Sequence, residues 1–229
     1  MEDYIGLANK ATDAERFEEA ERYLELAIEV GPSHFLPRYV CGDTDSGLIK
    51  LAIALGKKKR WEQAVRCLQR AEQILPGFYR IADFGWHYLM KEAAKAGEVD
   101  FAFQSFNRVP KKSDVYDAVK QVLISELLDL AEHWAIHGKL DEISPLLERI
   151  LAFAPDCKNK VCLAYLWSAA ESAKRKRWSN VERFLSRAPQ VDSEEEDELT
   201  AYMMYISEIA VSLGNEEYAR ELRDRVQYL

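Results

Sequence analysis

His133 and His137, four residues apart with Asp141 just beyond, are the nearest this chain comes to a metal-binding set. On one helix the pair shares a face, but a third ligand has to cross the turn at Gly138, and no H-E-x-x-H order is present. A packing or solvent-facing role is the simpler reading, and no metal is expected. Asp43 and Asp45 beside Gly47 resemble the start of a cation loop, yet the later bidentate acid is missing, which leaves an ordinary turn. Cys41, Cys67, Cys157 and Cys162 form no C-x-x-C pair and have no nearby histidine base, so they read as reduced packing residues. Neither a glycine-rich phosphate loop nor a G-x-S-x-G elbow occurs. The expectation is a protein that is not an enzyme and holds no cofactor.

Charge carries more information. Two runs recur almost identically, Lys57-Lys58-Lys59-Arg60-Trp61 and Lys174-Arg175-Lys176-Arg177-Trp178. Each suits a localisation signal or an anionic ligand, but the plainer reading is a solvated turn whose cations sit at the C-terminal end of a helix. Trp61 and Trp178 are expected in the core. The acidic stretch Asp192 to Glu198 suits a basic partner, although acids in a first helical turn are favoured by the dipole alone. The net charge of −8 hides an order, with residues 1 to 34 acidic, 35 to 114 basic and 115 to 229 acidic. That order can steer a charged ligand along the molecule, but it opposes a general nucleic-acid backbone binder, which needs a continuous basic face.

The elements that must position these residues are helical. In 229 residues there are only 10 glycines and 7 prolines, too little punctuation for many short strands. No run approaches the roughly 18 apolar residues of a membrane span. The opening Met1-Glu2-Asp3-Tyr4 lacks a leader signature, which suggests a cytoplasmic protein with no membrane insertion.

One sentence of sequence is repeated. Its clearest copies are Arg16-Phe17-Glu18-Glu19-Ala20 with Leu24, Ala27 and Pro32, and Arg60-Trp61-Glu62-Gln63-Ala64 with Leu68, Ala71 and Pro76. In the first copy Tyr4, Leu7, Ala8 and Ala11 form the stripe of a first helix. Thr12 and Glu15 have capping-box spacing for a second, which is expected to stop at Gly31-Pro32. Leu48, Leu51 and Ala52 open the second copy; Trp86, Leu89, Gly97, Ala102 and Phe106 mark a third that stops early before Pro110. Leu127, Leu130, Ala131, Gly138, Leu140, Leu147 and Pro155 mark a fourth. Tyr165, Ala169, Trp178, Leu185 and Ala188 mark a fifth, and Met203, Ile206, Gly214, Ala219 and Val226 a sixth.

These residues resemble the tetratricopeptide repeat. The resemblance implies an all-α, right-handed solenoid of about six antiparallel hairpins in a single array over 1–229, near 1–34, 45–78, 83–116, 115–157, 158–192 and 193–229. Aligning Ala20, Ala64, Ala102, Ile143, Val181 and Ala219 gives steps of 44, 38, 41, 38 and 38 residues, longer than the family's 34. The surplus is placed at the start of the first helices, with Asp114 capping one that runs to about His137 and Ser193 with Glu196 capping another. Phe35 to Thr44, leading to Gly47, is expected as a turn-rich joint, and the final helix as a solvating cap that completes the array.

In this family the first helices line a concave groove. The matching positions are Ile5, Asn9, Ile49, Ile53, Phe84, His87, Lys91, Leu128, Glu132, Leu163, Leu166, Met204, Glu208 and Val211. Of the charged set that clamps a terminal carboxylate in one subclass, only Asn9 is present, so that role is not expected. The lining is mostly apolar and suits an amphipathic helix or extended apolar segment of a partner protein, or else is self-filled core. The resulting expectation is an interaction scaffold or adaptor. The alternatives are a self-associating module that buries Leu222, Val226 and Leu229 between copies, and an anion or RNA binder using the basic turns. Gly97-Glu98-Val99-Asp100 and Gly138-Lys139-Leu140-Asp141-Glu142 also suit pentatricopeptide hairpins, but irregular steps and acidic balance keep RNA a minor choice.

Overall fold

The computed structural model describes the backbone of residues 3–34, 37–74, 79–192 and 194–228, and the side chains of these except 31–34, 37–46 and 79–82. Among the described residues the chain forms twelve α-helices packed as adjacent pairs. It divides into two compact units, Met1–Leu123 and Ile124–Leu229. Among the described residues no helix is long and apolar enough to cross a membrane.

The first unit holds α1 (Tyr4–Asp13), α2 (Phe17–His34), α3 (Pro37–Lys57), α4 (Trp61–Ile74), α5 (Tyr79–Ala96), α6 (Val99–Phe106) and the start of α7 (Tyr116–His137). Helices α1 and α2, α3 and α4, and α5 and α6 pair, and α3 packs on both α1 and α5. The second unit holds the rest of α7, α8 (Leu140–Phe153), α9 (Lys158–Lys174), α10 (Trp178–Val191), α11 (Glu196–Ser212) and α12 (Glu216–Val226). There α9 pairs with α10 and α11 with α12, while α9 also packs on α8 and α11. Each unit is thus built of stacked hairpins, and small residues sit where helices meet. Ala8, Ala20, Ala52, Ala64, Ala102, Ala131, Ala169 and Ala219 are all at most 1% exposed.

The turn inside each hairpin is the same object six times. Glu15, Lys59, Gly97, Gly138, Lys176 and Gly214 all adopt positive φ, between 57° and 81°. Each stands five residues ahead of the aligned small position of the second helix. The following N–H reaches back five residues, from Arg16 to Ala11 O, Arg60 to Leu55 O, Glu98 to Ala93 O, Lys139 to Trp134 O, Arg177 to Ser172 O and Asn215 to Ala210 O. The left-handed residue itself donates three residues back, as Gly138 N does to Ala135 O. This double bond set satisfies carbonyls that a helix end would leave open.

That conformation overturns one expected cap. Glu15 is the left-handed residue, not an N-terminal cap, and the buried Thr12 hydroxyl donates to Ala8 O at 2.9 Å. Two further expectations fail around the first joint. Helix α2 runs past Gly31-Pro32 to His34, and α3 already begins at Pro37, so Asp43, Asp45 and Gly47 lie in a helix and not in a turn. Proline is favoured at the first position of a helix, where its missing N–H goes unused. Gly47 is tolerated because α3 lies so close to α2 that a Cβ there would stand 2.7 Å from Leu24 Cδ2. Asp114 precedes a helix that starts at Tyr116 and ends, as expected, at His137, and α6 ends at Phe106, short of Pro110. The caps and cysteine placed at Ser193 and Cys41, and the side chains of Pro32 and Pro76, lie outside the described residues.

Candidate functional site

The three first helices of the second unit present a cleft of about 550 Å³. Helix α7 contributes Ser125, Leu128, Asp129 and Glu132, and α9 contributes Lys160, Leu163, Ala164 and Trp167. Both sets follow the i, i+3, i+4, i+7 spacing of one helical face. Glu198 and Tyr202, also four apart, come from α11. The floor is therefore apolar and aromatic, while the rim holds three carboxylates and one ammonium.

The electrostatics follow from this crowding. Burial and then the neighbouring Asp129 push the Glu132 carboxyl above its usual range. Burial, followed by Glu198 and Glu132, raises the Tyr202 phenol as well. Trp167 turns its Nε1 into a place with no solvent and no acceptor. The Lys174 ammonium lies 5.5 Å from the centre of its ring, a cation–π contact. Lys174 is itself held at 2.6 Å by Glu171, which also takes Arg175 at 3.0 Å, and Arg175 donates to the Ile136 carbonyl across from α9 to the end of α7. The floor of the cleft is thus braced from its C-terminal end.

Of the positions expected in a groove, Leu128, Glu132 and Leu163 line this cleft. Leu166 does not, being fully buried in the packing of α9. Met204 is 40% exposed on α11, with Glu208 and Val211 exposed on the same helix, away from the lining residues. Trp167 and Tyr202, the aromatic walls, were missed by the repeat alignment; their signal was the four-residue spacing from Leu163 and from Glu198. In the first unit Ile5 and Asn9 (α1), Ile53 (α3) and His87 and Lys91 (α5) are half-buried, and Phe84 is exposed with its ring edge-on to Tyr88 at 4.8 Å. Ile49 is core there, 5% exposed. In both units the residue one step round the helix from the groove face points between helices, which a one-dimensional alignment does not separate.

The remaining chemical candidates make contacts within the chain. The His133 and His137 rings lie 4.0 Å apart, His137 Nδ1 is 2.8 Å from the His133 carbonyl, and Asp141 pairs instead with Arg183 at 3.2 Å. Among the described residues no group of three or more His, Cys, Asp or Glu gathers as for a metal ion. In the first basic turn Lys58 pairs with Glu15 and Arg60 with Glu18 of the preceding hairpin. Trp61 packs on Phe101 at 5.1 Å and Trp178 on Tyr218 at 4.9 Å, each half-buried between successive second helices. Cys67, Cys157 and Cys162 are buried thiols outside any disulfide, and Cys157 Sγ donates to Ala154 O at 2.9 Å. A second cavity of about 350 Å³ lies among Leu185, Pro189, Leu199, Met203, Arg225 and Tyr228.

The chain is an all-helical protein of stacked hairpins with an aromatic, acid-rimmed cleft on the first helices of its second unit. Comparison with known proteins finds no family model that matches the chain and no curated protein that matches it.

Proposed function

We propose that the chain is a non-catalytic interaction scaffold or adaptor of the cytoplasm, its hairpins a tetratricopeptide-like right-handed solenoid within each unit, and that the cleft of α7, α9 and α11 takes a peptide or helical segment of a partner protein. The observation that carries this reading is the shared register of Ser125, Leu128, Asp129 and Glu132 with Lys160, Leu163, Ala164 and Trp167, which aligns two helix faces into one trough. A trough with apolar floor and polar rim matches the recognition of a segment that presents side chains at helical or extended spacing. Affinity capture from native lysate tests it, with wild type beside a Leu128→Glu variant whose fold is checked by circular dichroism. A partner kept by wild type and lost by the folded variant supports the reading; identical capture by both overturns it.

A second reading, self-association, draws on a different surface. Leu222 is buried within α12's own hairpin and Val226 is half-buried, while Leu229 lies outside the described residues. Met204, Tyr205 and Val211 on α11 are each 40 to 43% exposed, with the exposed Glu208 between Met204 and Val211, and they offer apolar contact to a second copy. Sedimentation of wild type beside a Met204→Glu, Val211→Glu variant decides it: a dimer lost in the variant supports it, and a monomer in both removes it.

A further inference from the structure

Several acidic side chains of the second unit are matched to cations. Glu171 holds Lys174 and Arg175, Glu182 holds Arg225, Asp192 holds Lys158, Asp141 holds Arg183 and Glu148 holds Arg187. Asp129, Glu132 and Glu198 are not, and it is their shared position that sets them apart from the other unmatched acids. They share one cleft, and among the described residues none of them has a hydrogen bond or an ion pair. Lys160 is the single cation on that rim. Three carboxylates against one ammonium leave the rim negative, and desolvation, then the neighbouring Asp129, disfavours the ionised form of Glu132.

Beside the carboxylates stand Trp167 and Tyr202, whose ring faces attract cations. The Trp167 ring already accepts one, Lys174, which also lies 5.9 Å from the centre of the Tyr205 ring. Unpaired carboxylates, aromatic rings and an apolar floor in one trough complement a particular kind of segment. Resting on the reading of this cleft as a peptide groove, we infer that the bound segment of the partner carries a lysine or arginine flanked by apolar residues. Its cation sits among Asp129, Glu132 and Glu198 against the aromatic wall, and its apolar flanks cover Leu128, Leu163 and Ala164. A nucleic acid or phosphopeptide brings the wrong sign of charge to this rim.

Selection from a random peptide display library tests the inference, using wild type, a Glu132→Gln, Glu198→Gln variant and a Ser125→Trp variant that blocks the trough from an exposed position. All three are first shown to fold by circular dichroism and thermal melting. The expected result is that wild type selects peptides with lysine or arginine between apolar residues. A synthetic copy of the leading peptide then loses about tenfold or more in affinity on the glutamine variant, binds more weakly as salt rises, and fails on Ser125→Trp. If the selected peptides lack a cation and bind the glutamine variant as well as wild type, yet fail on Ser125→Trp, the cation inference is overturned and the groove stands. If no peptide is selected, or if binding survives Ser125→Trp, the groove reading falls and the inference with it.

Discussion

Leu166 and Met204 occupy the same position of successive first helices, α9 and α11, yet Leu166 is completely buried and Met204 is 40% exposed. The same contrast holds for Ala173, fully buried, and Val211, 43% exposed. Helix α11 packs on α9 and covers its face, whereas the equivalent face of α11 lies open. Truncation therefore has unequal effects. Leu166→Ala leaves a cavity and lowers unfolding free energy by about 3 kcal/mol, while Met204→Ala changes it by about 0.5 kcal/mol or less. Urea unfolding followed by circular dichroism measures both.

The six left-handed residues give a second test. A Cβ is disfavoured in that conformation, so Gly138→Ala at φ 77° loses about 1 kcal/mol. Lys176→Gly, at φ 57°, removes the same strain and gains about 0.5 kcal/mol, less than the strain alone because glycine also loosens the unfolded chain. A reversal of sign at either position contradicts the shared turn geometry.

Burial raises the Cys67 thiol to about 12 and the Cys162 thiol to about 11. Thiolate is the reactive form, so both resist a disulfide reagent at neutral pH in the native protein and react at once in denaturant. Mass spectrometry of the modified peptides reads Cys67 and Cys162 separately.

Glu171 provides a pH test with a definite sign. Burial alone would raise its carboxyl, but hydrogen bonds from Lys174 and Arg175 outweigh that and hold it below the usual range. Its stabilisation is thus present at neutral pH and lost as pH falls through the lowered value. Glu171→Gln costs about 2 kcal/mol at neutral pH, and the difference from wild type shrinks once acid protonates the native carboxyl.

Glu132 runs the other way. Its carboxyl is raised, so ionisation weighs against the folded state and that penalty grows as pH climbs past the ordinary value of 4.5. Glu132→Gln melts slightly higher than wild type at neutral pH, by about 2 °C or less for so exposed a group, and equally in acid. A stabilised variant that binds peptide less well locates Glu132 in function and not in the scaffold.

Periodicity and small residues made the paired helices legible, because Ala20, Ala64, Ala102 and Ala219 mark contacts where backbones approach. The joint before α3 was misread because local signals were weighed alone. Pro37 starts a helix as readily as it ends one, and Gly47 owes its place to Leu24 on another helix. The six identical turns escaped notice because only three of them use glycine; Glu15, Lys59 and Lys176 take the same backbone shape against their propensity. Of the cleft, Leu128, Glu132 and Leu163 were readable from the repeat, whereas Tyr202 depended on which side of α11 faces α9.

The recurring turn also decides where length is free to vary. Every second helix begins two residues after the left-handed residue, at Phe17, Trp61, Val99, Leu140, Trp178 and Glu216. First helices differ widely, from the 10 residues of α1 to the 22 of α7. Inserting one residue at the turn would rotate the second helix by about 100° and misalign every pair across the hairpin. An insertion at the far end only extends a helix. Each hairpin is hinged shut at one end and ragged at the other, so the six hairpins differ in length at the ragged end and share one pairing at the hinge.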